Sequence, residues 1–341
     1  MLANQLSAAG DDRVTVLSYY NSKLPNIYDI SPKIEQRFFL QSYSSMSKQL
    51  LNGGVMRLRA FLKDNDVDVL IACGALFFPI SVLACKKIKT KSVCWEHSDP
   101  EGNNDHRGQL LARRFGIKFS DLNVVLTRRA YKIYKEKFRA PNTVQIYNPI
   151  DPVALRSSGE YDSQSKRIIS VGRLTYQKNF QVAVVVAAKV LPQFPDWQWD
   201  VYGQGEDYDE LVNLANKAGI GEQMHFKGQV TDLYERYKQY GIMVMTSRYE
   251  GFPMTLLEGN GNGLPLVSFD VPTGPSEIIE DGVNGYLLQE GHVDEMADRL
   301  IHLMTDDSLR ITMSRECRKM AGAFEIQDIT KKWKETLHSI V

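Results

Sequence analysis

Short apolar runs alternate with longer amphipathic stretches along almost the whole chain, and the alternation passes through twice. In the first half Val14–Ser18, Val67–Ala72, Ser92–Glu96, Leu122–Leu126 and Thr143–Tyr147 read as strands, with helices over Val55–Lys63, Phe78–Lys87, Arg107–Phe119 and Arg128–Phe138. Residues 1–9 read as the tail of a helix ended by Gly10, and residues 20–60 show no sharp period until Val55. In the second half the strands are Arg167–Val171, Gln198–Tyr202, Met224–Phe226, Ile242–Thr246 and Pro265–Phe269. Helices are expected there over Phe180–Gln193, Tyr208–Ala218, Leu233–Gln239, Thr255–Gly259 and Pro275–Glu280, and three more close the chain: Val293–Met304, Ser308–Ala321 and Ile326–Ile340. Strands and helices alternating at this spacing predict parallel sheets covered on both faces. At 341 residues the chain is too long for one ordinary core. Asn148–Pro152 and the polar stretch Ser157–Ser165 make the best linker, which predicts one α/β domain over 1–150 and another over 151–325.

No window approaches the roughly 20 apolar residues of a membrane span, and no signal peptide is expected, because Met1 is followed by amphipathic LANQL. The four cysteines, Cys73, Cys85, Cys94 and Cys317, show neither a C-x-x-C pair nor metal-ligand spacing, which predicts reduced, mostly buried thiols and a cytoplasmic protein. The formal net charge of +0 hides an asymmetry: residues 1–150 carry 22 Lys and Arg against 13 Asp and Glu, the remainder 19 against 28. Much of the basic excess lies in Lys86, Lys87, Lys89, Lys91, Arg113, Arg114, Lys118 and the run from Arg128 to Arg139. Solvated helix faces explain such runs more often than binding does, although a basic half also suits an anionic membrane surface or a phosphorylated acceptor. Nucleic acid is not expected, since no aromatic binding motif is interleaved with these residues.

Open parallel sheets bind ligands beyond the carboxyl ends of their strands. After Arg167–Val171 comes Gly172-Arg173-Leu174-Thr175-Tyr176-Gln177-Lys178-Asn179, a glycine turn followed by two cations five apart at a strand-to-helix junction. That suits a diphosphate: Arg173 binds in bidentate fashion and Lys178 supplies a point charge. Gly203-Gln204-Gly205-Glu206 follows another strand but lacks the third glycine of a dinucleotide fingerprint, so a tight turn with close backbone approach is sufficient explanation. Asp64, Asp66 and Asp68 precede their strand, away from the ligand edge, while Asp207 and Asp209 open a helix where acids cap; neither set is read as a metal site. His97 follows Ser92–Glu96 at a strand end, where an imidazole can donate to a phosphate or a sugar hydroxyl; Thr127 reads as an N-cap. No G-x-S-x-G elbow supports nucleophilic Ser/His/Asp catalysis.

The densest stretch is Arg248–Glu277, RYEGFPMTLLEGNGNGLPLVSFDVPTGPSE. Pro253 suits the first turn of a helix, so Glu250 falls in the loop before it and Glu258 one to two turns inside it. A glycine-led helix start leaves amides free for an anion. Beside it a carboxylate pair makes sense if the anion carries hydroxyls, because carboxylates accept hydrogen bonds from a sugar while amides hold a phosphate.

In these segments the chain resembles the retaining GT-B glycosyltransferases of glycosyltransferase family 4, which build bacterial polysaccharides and glycolipids. VGRLTYQKNF is similar to the family's phosphate-binding segment, EGFPMTLLE to its paired-glutamate motif and FDVPTGPSEIIEDGVNGYLL to the segment that follows. The resemblance covers nearly the whole chain. It implies two doubly wound Rossmann-like domains facing an interdomain cleft, with the last helix, carrying Trp333 and Leu337, crossing back to complete the first domain. It further implies that Gly172, Arg173, Lys178 and Gly203 surround the donor diphosphate, that Glu258 takes the ribose hydroxyls, and that Glu250 with the backbone of Gly251, Phe252, Pro253, Met254 and Thr255 takes the donor sugar. Val230, within Gly228–Asp232, would pack on the base, and His97 would lie near the donor sugar and acceptor. The reaction implied is metal-free glycosyl transfer with retention, Arg173, Lys178, His97 and Glu250 carrying it, from a UDP-sugar to a polysaccharide or polyprenyl-diphosphate-linked glycan. No cofactor is expected. Two departures stand out. The strand and Gly-Gly loop with which family members usually begin are not seen ahead of Leu2–Ala9, and Gly259-Asn260-Gly261-Asn262-Gly263 places glycines where helix formers are expected. A nucleotide-sugar-binding protein without turnover is therefore the competing expectation.

Overall fold

The structure is a computed structural model that describes every residue except 9, 11, 22–28, 43, 102–106 and 157–159, and every side chain of the described residues except those of residues 51 and 156. The chain divides into two compact units: unit 1 comprises Met1–Pro149 and Ile326–Val341, unit 2 comprises Ile150–Glu325. Of the linker stretch Ser157–Ser165, residues 157–159 lie outside the described residues.

Unit 2 is built on six strands, β7 (Arg167–Val171), β8 (Gln198–Tyr202), β9 (Met224–Gly228), β10 (Ile242–Met245), β11 (Leu266–Phe269) and β12 (Gly285–Leu288), in the order β12-β11-β10-β7-β8-β9 and parallel throughout. The interior strands are apolar and covered on both faces: β10 and β11 are buried at every position. Helix Phe180–Val190 packs through Phe180, Ala183, Val184, Ala187 and Val190 into a core that also holds Ile168, Trp199, Val244 and Val267. Strands are added outward from β7 in one direction and from β10 in the other, so chain order reverses between these two neighbours. A crevice beyond the carboxyl ends is expected at that reversal.

The glycines behind Glu258 do not cut the helix short. It runs Met254–Gly261, with Pro253 at its N-cap rather than inside its first turn. A Cβ on Gly259 would lie 2.3 Å from Met243 Sδ, and one on Gly261 2.3 Å from Ile150 Cδ1, so the missing side chains let this helix press against β10 and the start of unit 2. Alanine at Gly259 gains helix propensity of about 1 kcal/mol but overpacks a full core, which costs about 1–3 kcal/mol. Gly259→Ala should therefore lower the urea midpoint, and a raised midpoint would show that the packing gives way instead.

Unit 1 differs from the sequence expectation at its first strands. β1 (Thr15–Tyr20) pairs in parallel with β2 (Glu35–Leu40), and these two form a sheet of their own. β3 (Val69–Cys73), β4 (Lys91–Glu96), β5 (Leu122–Val125) and β6 (Thr143–Gln145) form a separate parallel sheet in that order. β2 was not expected, because EQRFFL opens on three polar residues, its apolar run is only Phe38-Phe39-Leu40, and its first four residues are exposed. Between the two sheets lies a cavity of about 610 Å³, lined along all of β3 and by Thr15, Leu17 and Tyr19 of β1. Accordingly Val69, Leu70 and Ile71 are only half-buried, whereas β5 is buried at every position.

The final helix, Ile326–His338, belongs to unit 1: Trp333 is buried and its ring centroid stands 4.8 Å from that of Trp95. Arg113 is the exception among the basic residues read as solvated. It lies on helix Arg107–Phe119 at 1% exposure and donates through Nε to Glu96 Oε2 at 2.6 Å. A guanidinium loses less than an ammonium when it leaves water, and its planar fork matches a carboxylate.

Candidate functional site

The loops that follow β7 and β10 meet at the reversal of strand order. Arg248 N donates to Gln177 O at 2.9 Å and Gln177 Nε2 to Tyr249 O at 3.1 Å, which draws the two loops together. Across this join Lys178 Nζ lies 2.7 Å from Glu250 Oε1, with side-chain exposures of 15% and 7%. Arg173 is exposed and makes no ion pair or side-chain hydrogen bond among the described residues.

Glycines set how closely the strand ends approach. Gly203, at φ +140°, sits where a Cβ would fall 1.8 Å from Gly172 O, and a Cβ on Gly172 would lie 3.1 Å from the Lys178 side chain. Gly172 N donates to Tyr202 O and Gly203 N to Gly228 O, both at 2.9 Å, so the ends of β7, β8 and β9 converge on one backbone-walled patch. The close approach read for the Gly203-Gln204-Gly205 turn is thus a contact with the β7 loop. Val230 stands just beyond β9, half-buried.

On the β10 side, Phe252 and Pro253 are buried while Gly251, Met254 and Thr255 are partly exposed at the helix entry. Among the described residues no side chain caps the first turn of helix Met254–Gly261, so its leading amides keep their capacity for an anion. The segment is braced from behind by residues not singled out in the sequence: Thr273 Oγ1 donates to Glu250 O, and Gly274, at φ +102°, leaves room for Pro253 Cδ where a Cβ would come within 2.2 Å.

Glu258 faces two tyrosines that sequence reasoning missed. Tyr237 donates to its Oε2 at 2.8 Å and Tyr234 reaches its Oε1 at 3.4 Å. Burial pushes the Glu258 carboxyl up to about 7, against the opposing pull of both tyrosine hydrogen bonds. The signal available was the Tyr-x-x-Tyr spacing at 234 and 237, which places both hydroxyls on one side of a helical segment.

His97 lies in unit 1, directly after β4. Its ring packs 4.3 Å from that of Trp95, and the surrounding protein lowers its pKa, against the pull of the Glu96 carboxylate, which favours a neutral imidazole. The turn that carries it is tied to the Glu96–Arg113 pair: His97 N and Ser98 N donate to Glu96 Oε1 at 3.2 Å, Ser98 Oγ donates to the same oxygen at 2.7 Å, and Arg113 reaches Ser98 Oγ at 3.0 Å. Thr127 is an N-cap as expected, its Oγ1 accepting from Ala130 N at 3.0 Å. Asp66 and Asp68 engage Lys89 at 2.6 and 3.2 Å. Asp207 holds the N-cap position of helix Tyr208–Lys217, but its side chain makes no cap bond and accepts from Gln181 instead.

Two family models match consecutive parts of the chain: "Glycosyltransferase Family 4" over residues 1–153 and "Glycosyl transferases group 1" over residues 154–320. This chain belongs to glycosyltransferase family 4. Among curated relatives, the family 4 chain is 28% identical over 281 residues to an uncharacterised glycosyltransferase of Haemophilus influenzae, covering 82% of this chain and 79% of that protein. It is 29% identical over 279 residues to the amylovoran biosynthesis glycosyltransferase AmsD of Erwinia amylovora, covering 80% and 78%. Among solved structures, the family 4 chain matches a point mutant of S. aureus TarM, crystallised with fondaparinux, α-GlcNAc-glycerol and UDP, at TM-score 0.75 and 21% identity. That match covers 83% of this chain and 59% of TarM, so the chain spans little more than half the length of that protein. The shared fold is GT-B, two α/β domains with parallel sheets.

Proposed function

We propose that this glycosyltransferase moves a hexose or N-acetylhexosamine from a nucleotide-diphosphate sugar, in our reading a UDP-sugar, to a polysaccharide or polyprenyl-diphosphate-linked glycan, with retention and without a metal. The observation that carries this reading is the Lys178–Glu250 pair, held across the reversal of strand order beside a glycine-walled patch and the exposed cation Arg173. An ammonium has three donors, so Lys178 can keep its bond to Glu250 while giving another to a phosphate. Arg173, Lys178 and the uncapped amides of helix Met254–Gly261 would then hold the departing diphosphate, and fixed donors aimed at developing charge are the largest single contribution in many active sites. Glu250 binds sugar hydroxyls, and Glu258, steadied by Tyr234 and Tyr237, accepts from the ribose. The contents of the TarM structure, UDP and α-GlcNAc-glycerol, support the choice of donor nucleotide and of a glycan-type acceptor. We further take the enzyme to work in the cytoplasm, against the inner face of the plasma membrane; among the described residues no helix is long and apolar enough to cross one.

A screen of UDP- and GDP-sugars for hydrolysis and transfer tests donor and turnover together, and the anomeric configuration of the product, read by NMR, tests retention. The competing reading is nucleotide-sugar binding without turnover, which the interrupted sheet of unit 1 favours. UDP binding without hydrolysis or transfer of any sugar in the screen would decide for it. Two narrower results are expected. His97→Ala should abolish turnover and leave UDP affinity nearly intact, as calorimetry would show; normal turnover removes His97 from the reaction. Because Glu258 titrates at about 7 and accepts best as a carboxylate, UDP affinity should be flat above that pH. Below it affinity should fall toward about tenfold per pH unit, as linkage to a single ionisation requires. Glu258→Gln should remove that slope, and an unchanged slope would place the titrating group elsewhere.

A further inference from the structure

Helix Arg107–Phe119 has two opposed faces. Ala112, Arg113, Gly116 and Ile117 are buried, and a Cβ on Gly116 would fall 2.5 Å from the Phe78 ring, so this face is committed to helix Phe78–Cys85. On the opposite face Arg107, Leu111, Arg114 and Lys118 follow one another at the spacing of a single helical stripe, and all four are exposed. Leu111 is 65% exposed and Phe119, at the end of the helix, 53%, with the Lys118 ammonium 5.3 Å over its ring. The segment contains no Asp or Glu.

The surface continues onto the turn before β4. A groove of about 330 Å³ has Leu83, Ile88, Phe115 and Phe119 in its wall and Lys86 and Lys87 along it. Arg107, Arg114, Lys118, Lys86 and Lys87 are all exposed, and none forms an ion pair among the described residues. The one carboxylate lining the groove, Asp121, accepts from Ser92 N at 2.7 Å and Ser92 Oγ at 2.8 Å.

We propose that this face of unit 1 docks on an anionic bilayer, with helix Arg107–Phe119 lying along the interface. Leu111 and Phe119 enter the boundary between headgroups and acyl chains, while the arginines and lysines bury their stems and keep their charges among the lipid phosphates. A soluble polyanion satisfies the cations but gives Leu111 and Phe119 nothing, and large exposed apolar side chains on a basic stripe are the pattern of an interfacial helix. The proposal gives a location to the membrane association inferred above, and its test is independent of nucleotide chemistry.

The test is co-sedimentation of the intact protein with vesicles of phosphatidylcholine alone and of phosphatidylcholine mixed with phosphatidylglycerol, across a salt series. Binding should require the anionic lipid and weaken with salt over the range in which the Debye length shrinks. Each cation near the surface is worth about fivefold in partition, so Arg114→Gln with Lys118→Gln should lower it roughly 25-fold. Leu111→Ser with Phe119→Ser should lower it by a similar or larger factor. Both double variants should keep wild-type melting temperature and UDP-sugar turnover, which separates failure here from failure of the donor-site reading. No binding by the wild-type protein, or equal binding to both vesicle types, overturns the proposal whatever the variants do. Loss in the charge variant with full binding in the apolar variant also overturns it, because the bilayer would then be held by charge alone, with no insertion of Leu111 and Phe119.

Discussion

Lys178→Ala is expected to lower kcat for sugar transfer about 10²- to 10³-fold, the usual loss when one fixed donor to developing charge is removed. Because Glu250 is buried at 6% exposure, the same change leaves a carboxylate without its cation, and breaking a buried pair costs about 3–5 kcal/mol. The two effects separate in a double variant. Lys178→Ala with Glu250→Gln removes the stranded charge, so the urea midpoint should return most of the way, while kcat stays low because the diphosphate still lacks its cation. If Lys178→Ala keeps kcat within tenfold of wild type, Lys178 does not serve the leaving group. Recovery of turnover in the double variant would reduce the pair to a structural role.

A second large effect is expected at the other end of the chain's chemistry. Arg113→Leu should destabilise unit 1 by about 3–5 kcal/mol, because Glu96 is left ionised at 2% exposure with no cation of comparable geometry among the described residues. Adding Glu96→Gln should restore much of the loss. The Glu96 carboxylate also gathers the backbone of His97 and Ser98, so Arg113→Leu should lower kcat with little change in UDP affinity. Arg113 acts there as a positioning residue. A drop in UDP affinity as large as the drop in kcat would contradict that assignment, and unchanged stability would show that the pair does not hold unit 1 together.

The alternation of apolar runs was enough to place ten of the twelve strands found among the described residues, because a strand covered on both faces is a near-continuous apolar run and such runs are hard to mistake. β2 escaped because Glu35–Leu40 is an edge-like, exposed segment whose strand character comes from its partner β1 rather than from its own pattern. β12 escaped because Gly285–Leu288 is short and opens on a glycine, required there because a Cβ would strike Leu266 O at 2.0 Å. The glycines of helix Met254–Gly261 misled in the opposite sense: propensity describes an isolated helix, and contact with Met243 and Ile150 overrides it. At the site, charges at strand ends were legible because the position of a strand's carboxyl end can be read from its pattern. The partners of those charges were not. That Lys178 meets Glu250, that Tyr237 meets Glu258 and that Arg113 meets Glu96 depends on sheet order and helix packing, which bring together residues separated by 72, 21 and 17 positions.

The gap between β1 and β3 has a consequence for how the protein breathes. Each of these strands has one side with no neighbouring strand among the described residues, and both strands line the same cavity. A two-stranded parallel ribbon has little stability of its own, so β1 and β2 should open together, at a lower free energy than β3–β6 and far below the six-stranded sheet of unit 2. In native-state hydrogen exchange the amides of β1 and β2 would then trade before those of the other strands. The facing strands also act as a filter: a strand from another molecule that pairs with one open side must also accommodate the strand across the cavity, a demand that a lone flat edge does not make.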